Sequence, residues 1–170
     1  EQFAGGILYG GGKMLIPRRT GLLKETKIQF AGIRRSSGTK VSDNFLKGTG
    51  SLIIPANKKV TILIDQQVET IGYPEMVVSG GKDARIQAMY AENMIVKNKA
   101  PKGNRSDIEG KYMVGIKDIF MPDGGSQRLF KPTYLRAFRY IQLDIETKAA
   151  PLTIESYVHV ACNAPIERKA

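Results

Sequence analysis

The sequence predicts an all-β protein, and three observations lead to this prediction. From Val60 onward, alternating or β-branched and aromatic segments follow one another along the chain. Turn-forming stretches such as SGGKD and MPDGG separate these segments. No stretch shows a convincing amphipathic helical pattern. Many short strands separated by turns favour an antiparallel β-sandwich, of the jelly-roll or galactose-binding-like type.

The N-terminal third is the least regular part of the chain. The segment around Lys27 to Ile33 predicts one strand. In TGSLIIPANKKVTILID, two strands are expected on either side of Pro55-Ala56-Asn57, because Pro and Asn favour turns. We therefore expect the sheet to begin well before Val60.

Five later segments supply the most regular strand predictions. They are VTILID (60–65), ARIQAMYA (84–91), KYMVGIKDIF (111–120), FRYIQLDI (138–145) and LTIESYVHVA (152–161). Successive side chains of a strand point to opposite faces. In FRYIQLDI, Ile141, Leu143 and Ile145 therefore share one face, and the alternate residues from Tyr140 to Asp144 share the other. This pattern predicts a sheet with one packed and one wetter face.

The chain of 170 residues has the length of one domain, and its net charge of +10 is its main compositional anomaly. The basic residues occur as scattered pairs such as Arg34-Arg35 and Lys58-Lys59, without a block or a helical stripe. We interpret them as a solvated surface. A basic nucleic-acid-binding sandwich remains an alternative, although aromatic and basic residues do not interleave as in stacking platforms. No apolar run is long enough to predict a membrane span.

Few residues could carry catalysis or bind a metal. His159 and Cys162 are the only residues of their types, and both lie in the alternating segment SYVHVAC. We predict a strand-surface or hydrogen-bonded His159 and a buried, inert Cys162. Asp118 and Asp123 match no specific calcium-loop spacing. The sequence therefore predicts no catalytic residue, no metal site and no cofactor within this chain.

Sugar recognition is the binding function that the composition best supports. It needs an aromatic face for the C–H side of the ring and planar polar groups for the hydroxyls. The chain has no tryptophan but has seven tyrosines, several of them near polar residues. The candidate carbohydrate-binding residues are Asn104, Arg105, Glu109, Tyr112, Tyr134 and Tyr140.

Six stretches together resemble the N-terminal β-sandwich domain of bacterial α-L-rhamnosidases of the six-hairpin glycosidase type. They are MLIPR (14–18), IPANKKVTILID (54–65), YPEMVVSGGKDARIQAMYAE (73–92), KGNRSDIEGK (102–111), MPDGG (121–125) and FRYIQLDIETKAAPLTIE (138–155). The resemblance extends from about residue 14 to the end of the chain. In one respect the chain departs from it, because Tyr134 and Leu135 stand where a Trp-rich stretch is expected.

The resemblance implies that residues 1–170 form a single accessory domain of a longer glycoside hydrolase. The partner would be a C-terminal (α/α)-barrel catalytic domain of the same polypeptide, which holds the acid and base that hydrolyse α-L-rhamnosides with inversion. The ligand would be a rhamnose-containing glycan, and the compartment periplasmic or extracellular in a bacterium. Within this frame Arg105, Asp107 and Glu109 are expected to pin the loop KGNRSDIEGK. A stand-alone carbohydrate-binding module is the main alternative.

Overall fold

A computed structural model describes residues 21–96 and 104–165, and every strand pairing within them is antiparallel. The described strands are β1 (Lys24–Gln29), β2 (Gly32–Ser37), β3 (Leu52–Ile54), β4 (Lys59–Gly80), β5 (Arg85–Ala91), β6 (Ile116–Phe120), β7 (Arg128–Phe130), β8 (Arg136–Glu146) and β9 (Leu152–Asn163). One short helix, α1 (Asn44–Lys47), lies between β2 and β3. None of the helical structure described here is long and apolar enough to cross a membrane.

The long strand β4 belongs to both layers of the fold. Its first part pairs with β2 and β8, and β8 continues to β5 and β6, which forms the front sheet. Its second part pairs with β9 and β7, and β9 also pairs with β1 and β3, which forms the back sheet. The register of β4 against β8 shifts between Asp65 and Thr70. The predicted all-β antiparallel sandwich is confirmed.

The main core lies between the two sheets and is built from alternate residues of their strands. Ile141, Leu143 and Ile145 of β8 are all buried there, which confirms the predicted face. Met76 and Val78 of β4 face them from the back sheet. Further buried members are Phe45 and Leu46 of α1, Leu52, Ile54, Ile62, Ile64, Leu152, Ile154 and Tyr157. Each such side chain stabilises the fold by about 1.5–3 kcal/mol through removal of apolar surface from water.

A second, smaller core covers part of the opposite face of the front sheet. Leu63, Met89 and Tyr140 point to that side, away from the main core. Met94, Ile108 and Met113, which come from the segments around the loop at residues 104–112, are buried against them. The front sheet is therefore packed on both faces over this half, and the loop is part of the packed structure.

Several strand predictions are wrong in their boundaries. The strand expected around Lys27 to Ile33 is two strands, β1 and β2, with the buried Phe30 between them. The strand expected at 111–120 begins only at Ile116. Just before it, a Cβ on Gly115 would lie 1.8 Å from the carbonyl oxygen of Tyr90, so this close approach requires glycine. The two strands expected around Pro55-Ala56-Asn57 are present.

The two residues of SYVHVAC that were singled out behave differently. Cys162 is buried, as predicted, and burial raises the pKa of its thiol. The prediction for His159 is wrong, since its side chain points into the main core and is 0% exposed. Both faces of this strand carry apolar residues, so the alternation alone did not show which face is interior.

Candidate binding loop and its arginine–aspartate anchor

The loop at residues 104–112 is shaped by its own short polar side chains. The Asn104 side-chain oxygen accepts a hydrogen bond from the Ser106 backbone N–H at 2.9 Å. The Asp107 carboxylate accepts one from the Glu109 N–H at 3.2 Å. Gly110 then adopts a positive φ of 65°, which glycine tolerates without strain. Asn, Asp and Gly at these positions thus fold the loop as successive tight turns.

Asp65 anchors this loop to the front sheet. Its carboxylate is almost fully buried and accepts hydrogen bonds from Arg139 Nε at 3.0 Å and Arg139 Nη2 at 3.2 Å. Arg34 Nη1 donates to it at 2.9 Å, and the Gln67 backbone N–H at 2.7 Å. The hydrogen bond that Arg139 donates to Asp65 raises the pKa of the Arg139 guanidinium. We call Asp65, Arg34 and Arg139 the anchor.

The two arginines of the anchor also hold the loop directly. Arg34 Nη2 donates to the Ser106 carbonyl oxygen at 2.9 Å, and Arg139 Nη2 donates to the Ser106 hydroxyl oxygen at 3.0 Å. The Tyr140 hydroxyl donates to the Arg105 carbonyl oxygen. One carboxylate thus positions two guanidinium groups that hold the backbone carbonyl and the side-chain hydroxyl of Ser106, as expected for charge-assisted hydrogen bonds.

The structure brings together four of the six candidate sugar-binding residues. Asn104, Arg105, Glu109 and Tyr112 lie on the loop and are all solvent-exposed, Tyr112 by 41%. The backbone of Tyr112 forms an isolated antiparallel bridge with Ile95, which fixes this end of the loop.

The two remaining tyrosines of the set lie in different surroundings. Tyr134 is 73% exposed and precedes β8, outside the loop. Tyr140 is fully buried beneath the loop, so its ring offers no face to a sugar. Its hydroxyl instead supports the Arg105 carbonyl, because an aromatic ring with a polar tip suits the boundary between core and loop.

The ion pairs of the loop are only partly those expected. Asp107 pairs with Lys111 at 3.5 Å, and Arg105 pairs with Glu69 of β4 at 3.3 Å. Within the described part of the chain, the Glu109 side chain makes no ion pair or hydrogen bond. The expected pinning role is therefore wrong for Glu109 and passes to the anchor.

Replacing Glu109 by alanine should change the free energy of unfolding by no more than about 0.5 kcal/mol, because an exposed side chain without partners contributes little. Urea denaturation of the wild type and of Glu109→Ala would measure this difference. A loss above 1 kcal/mol would show that Glu109 pins the loop after all.

The carboxylates that we considered for calcium are each paired with an arginine. Asp118 receives hydrogen bonds from Arg136 Nη2 at 2.6 Å and Arg136 Nε at 2.9 Å. Asp123 pairs with Arg128, and this hydrogen bond holds its pKa below the usual value. Across residues 21–96 and 104–165, no three His, Cys, Asp or Glu side chains are grouped as a metal site.

The basic character of the chain is weaker in the described structure than in the whole sequence. Of 26 Lys and Arg and 16 Asp and Glu residues, the described ranges hold 18 and 14. Arg18, Arg19, Lys97 and Lys99 lie outside these ranges. The described ranges therefore carry four of the ten net positive charges of the sequence, and the other six belong to residues outside them.

Two solved rhamnosidases contain a similar fold. A GH78 family rhamnosidase of Bacillus sp. GL1 matches with a TM-score of 0.51 and 15% identity over 76% of this chain and 13% of that chain. A rhamnosidase from Klebsiella oxytoca with rhamnose bound matches with a TM-score of 0.54 and 12% identity over 85% of this chain and 30% of that chain. No family model and no curated protein matches the sequence.

These likenesses concern the fold, because both identities are low. The match spans 13% and 30% of the two rhamnosidase chains, so the similar region is a minor part of each. The β-sandwich described here therefore has the fold of one portion of each of these two rhamnosidase chains.

Sequence reasoning identified the loop but missed its anchor. Asp65 lies 31 residues from Arg34 and 74 residues from Arg139 along the chain. Nothing in the local pattern links these three positions, because strand pairing alone brings them together. A carboxylate at the end of the apolar run VTILI was the one available signal, since a charged residue there needs a buried partner.

Proposed function

We propose that residues 1–170 form a non-catalytic β-sandwich domain of a rhamnosidase-like glycoside hydrolase. Its role is to support a C-terminal (α/α)-barrel catalytic domain of the same polypeptide. The observation that carries this proposal is the fold likeness to a minor portion of two rhamnosidase chains. The sequence resemblance to the domain preceding the barrel agrees with it.

The geometry of the loop suits a supporting surface better than a catalytic centre. Asp107 is exposed and paired with Lys111, and Glu109 is exposed and has no partner among the described residues. A general acid with a raised pKa would instead need an apolar surrounding. The two arginines of the anchor hold Ser106 of the loop through its backbone carbonyl and its hydroxyl, so the outward side chains of the loop are presented in a defined arrangement.

The absence of catalysis is tested by incubating the purified 170-residue chain with an aryl α-L-rhamnoside. We expect no release of the aryl group above the buffer rate. Hydrolysis that tracks the folded protein through a size-exclusion column would overturn the proposal. The supporting role is tested in the parent polypeptide, whose barrel should lose thermal stability when residues 1–170 are deleted.

Binding of a rhamnose-containing glycan by the same domain is the finer part of the proposal. The exposed Asn104, Arg105, Glu109 and Tyr112 supply planar polar groups and one aromatic face. Amide NMR shifts during titration with L-rhamnose and a rhamnosylated oligosaccharide would locate such a site. Saturable shifts of loop residues that become weaker in Glu109→Ala would support sugar binding by the loop. Unchanged spectra at millimolar sugar would mean that the domain only supports the barrel.

A further inference from the structure

His159 occupies the centre of the back sheet with its side chain between the two layers. It is fully buried, and its ring lies 5.0 Å from that of Phe30 and 5.7 Å from that of Phe138, edge-on to the latter. Among the described residues, neither ring nitrogen has a hydrogen-bond partner. A buried polar group without a partner is costly, and a buried unpaired charge costs far more. The site therefore tolerates a neutral imidazole and opposes an imidazolium.

The titratable groups of the interior offer no counter-charge to a protonated His159. Tyr157 on the same strand and Tyr90 on β5 are neutral, since burial raises the pKa of each phenol well above its usual value. Asp118 on β6 is already bound by Arg136 on β8 through two hydrogen bonds. The pKa of His159 is lowered to about 4 by burial alone.

The acidic residues beside His159 on the flanking strands lie on the other face of the back sheet, and Lys24, which shares the His159 face, is a cation. On β1, Glu25 and Lys27 are paired with Cys162 and Val160, which point away from the core side of His159. On β4, Glu75 is paired with Val158, which also lies on that outer face. Phe30 contributes only an apolar ring from the connection between β1 and β2. Among the described elements, none that neighbours His159 therefore compensates a charge on its imidazole.

The weakest cover over His159 is the β1 edge. All six residues of β1 are exposed, and in the described structure this strand pairs only with β9. Phe30 follows β1 directly and is the residue that closes over the imidazole from that side. On the other side, β9 pairs with β4, whose Met76 and Val78 are part of the main core. Water would reach His159 most easily if β1 and Phe30 moved away.

We propose that His159 is an acid-sensitive latch, and that its protonation releases β1 and Phe30 from β9 while the front sheet stays folded. A falling pH should favour the open state, because a histidine whose pKa is lowered in the closed state binds a proton more readily once that state has opened. The rise in the equilibrium constant for opening begins near pH 6.5, the ordinary pKa of histidine, and is complete below about pH 4. Between pH 7.5 and pH 5 the equilibrium constant for opening should rise about 30-fold.

Amide hydrogen exchange followed by NMR tests the latch, with protection factors compared at pH 7.5 and pH 5. In the wild type, protection on β1 should fall about 30-fold over this range and should remain below that on β8. In His159→Phe, protection on β1 should not fall by this factor, since the phenyl ring fills the aromatic site without a titrating group. His159→Gln serves the same purpose if the phenyl ring does not fit.

Tyr157→Phe is the matched control, because it removes the buried hydroxyl of a neighbouring residue on the same strand and leaves His159 in place. It should keep the acid response of the wild type. The single histidine of the chain also gives one imidazole resonance, whose shift follows its protonation directly. Three results would each overturn the latch. The imidazole resonance could titrate near pH 6.5 while β1 stays protected, or the acid-induced loss of β1 protection could persist in His159→Phe. Equal protection on β1 and β8 at pH 5 would be the third.

Discussion

Replacement of Asp65 by alanine should lower the free energy of unfolding by about 3–5 kcal/mol, the loss expected when one partner of a buried ion pair is removed. The carboxylate accepts hydrogen bonds from Arg34, Arg139 and the Gln67 backbone, and Arg139 is itself largely buried. The variant would leave that guanidinium without its counter-charge and would free the two donors that hold Ser106. Urea denaturation followed by circular dichroism measures the loss, and limited proteolysis should cut the loop at residues 104–112 first.

Glu69→Ala is the matched control for the Asp65 variant. It also removes an acidic partner of an arginine of this region, but both members of the Glu69–Arg105 pair are about half exposed. Exposed ion pairs contribute about 0–1 kcal/mol. Equal losses in the two variants would contradict the view that burial makes Asp65 the anchor of the loop.

Replacement of Phe138 by alanine should cost about 3–5 kcal/mol, as for other large aromatic side chains removed from a core. Phe138 is fully buried in the main core, and its ring contacts those of Phe30, Tyr90 and His159. The cavity left by the phenyl ring would lie against the imidazole of His159 and next to the ring of Tyr90. Thermal and urea denaturation at pH 7.5, where His159 is neutral, would measure the loss.

Ile119→Ala on β6 provides the comparison for Phe138. Ile119 is a large apolar residue of the same front sheet, but about half of its surface is exposed. Surface substitutions away from packed features usually change stability by no more than about 0.5 kcal/mol. A loss below 1 kcal/mol for Phe138→Ala would mean that the two sheets close without this ring.

The sequence predicted strands best where turn residues bound them on both sides. The segments at 84–91, 138–145 and 152–161 agree with β5, β8 and β9 to within two residues at each end. The strand predicted at 60–65 instead continues to Gly80. Pro74 argues against a central strand, and the irregularity between Asp65 and Thr70 has no sequence signature, so this continuation was not expected. β7 has only three residues, too few for a periodic pattern.

The candidate site was predictable as a loop but not as a supported structure. Asn104, Asp107 and Gly110 show local turn chemistry, which a sequence displays directly. The contacts of Arg34, Arg139 and Tyr140 with the loop depend on strand register across the front sheet, which the local pattern does not encode. The same limit explains Tyr140, which was expected to offer an aromatic face to a sugar although its ring is buried under the loop.

The pairing of β9 has a consequence for how the chain folds during synthesis. This last strand is the hydrogen-bonding partner of β1 and β3 near the start of the chain and of the second part of β4. Until residues 152–163 have left the ribosome, those earlier strands have unpaired backbone groups and an uncovered apolar face. Such long-range closure is slow, and exposed strand edges invite association with other chains. Chaperone contact during translation should therefore persist until β9 emerges, and a ribosome stalled before Leu152 should hold an unclosed back sheet.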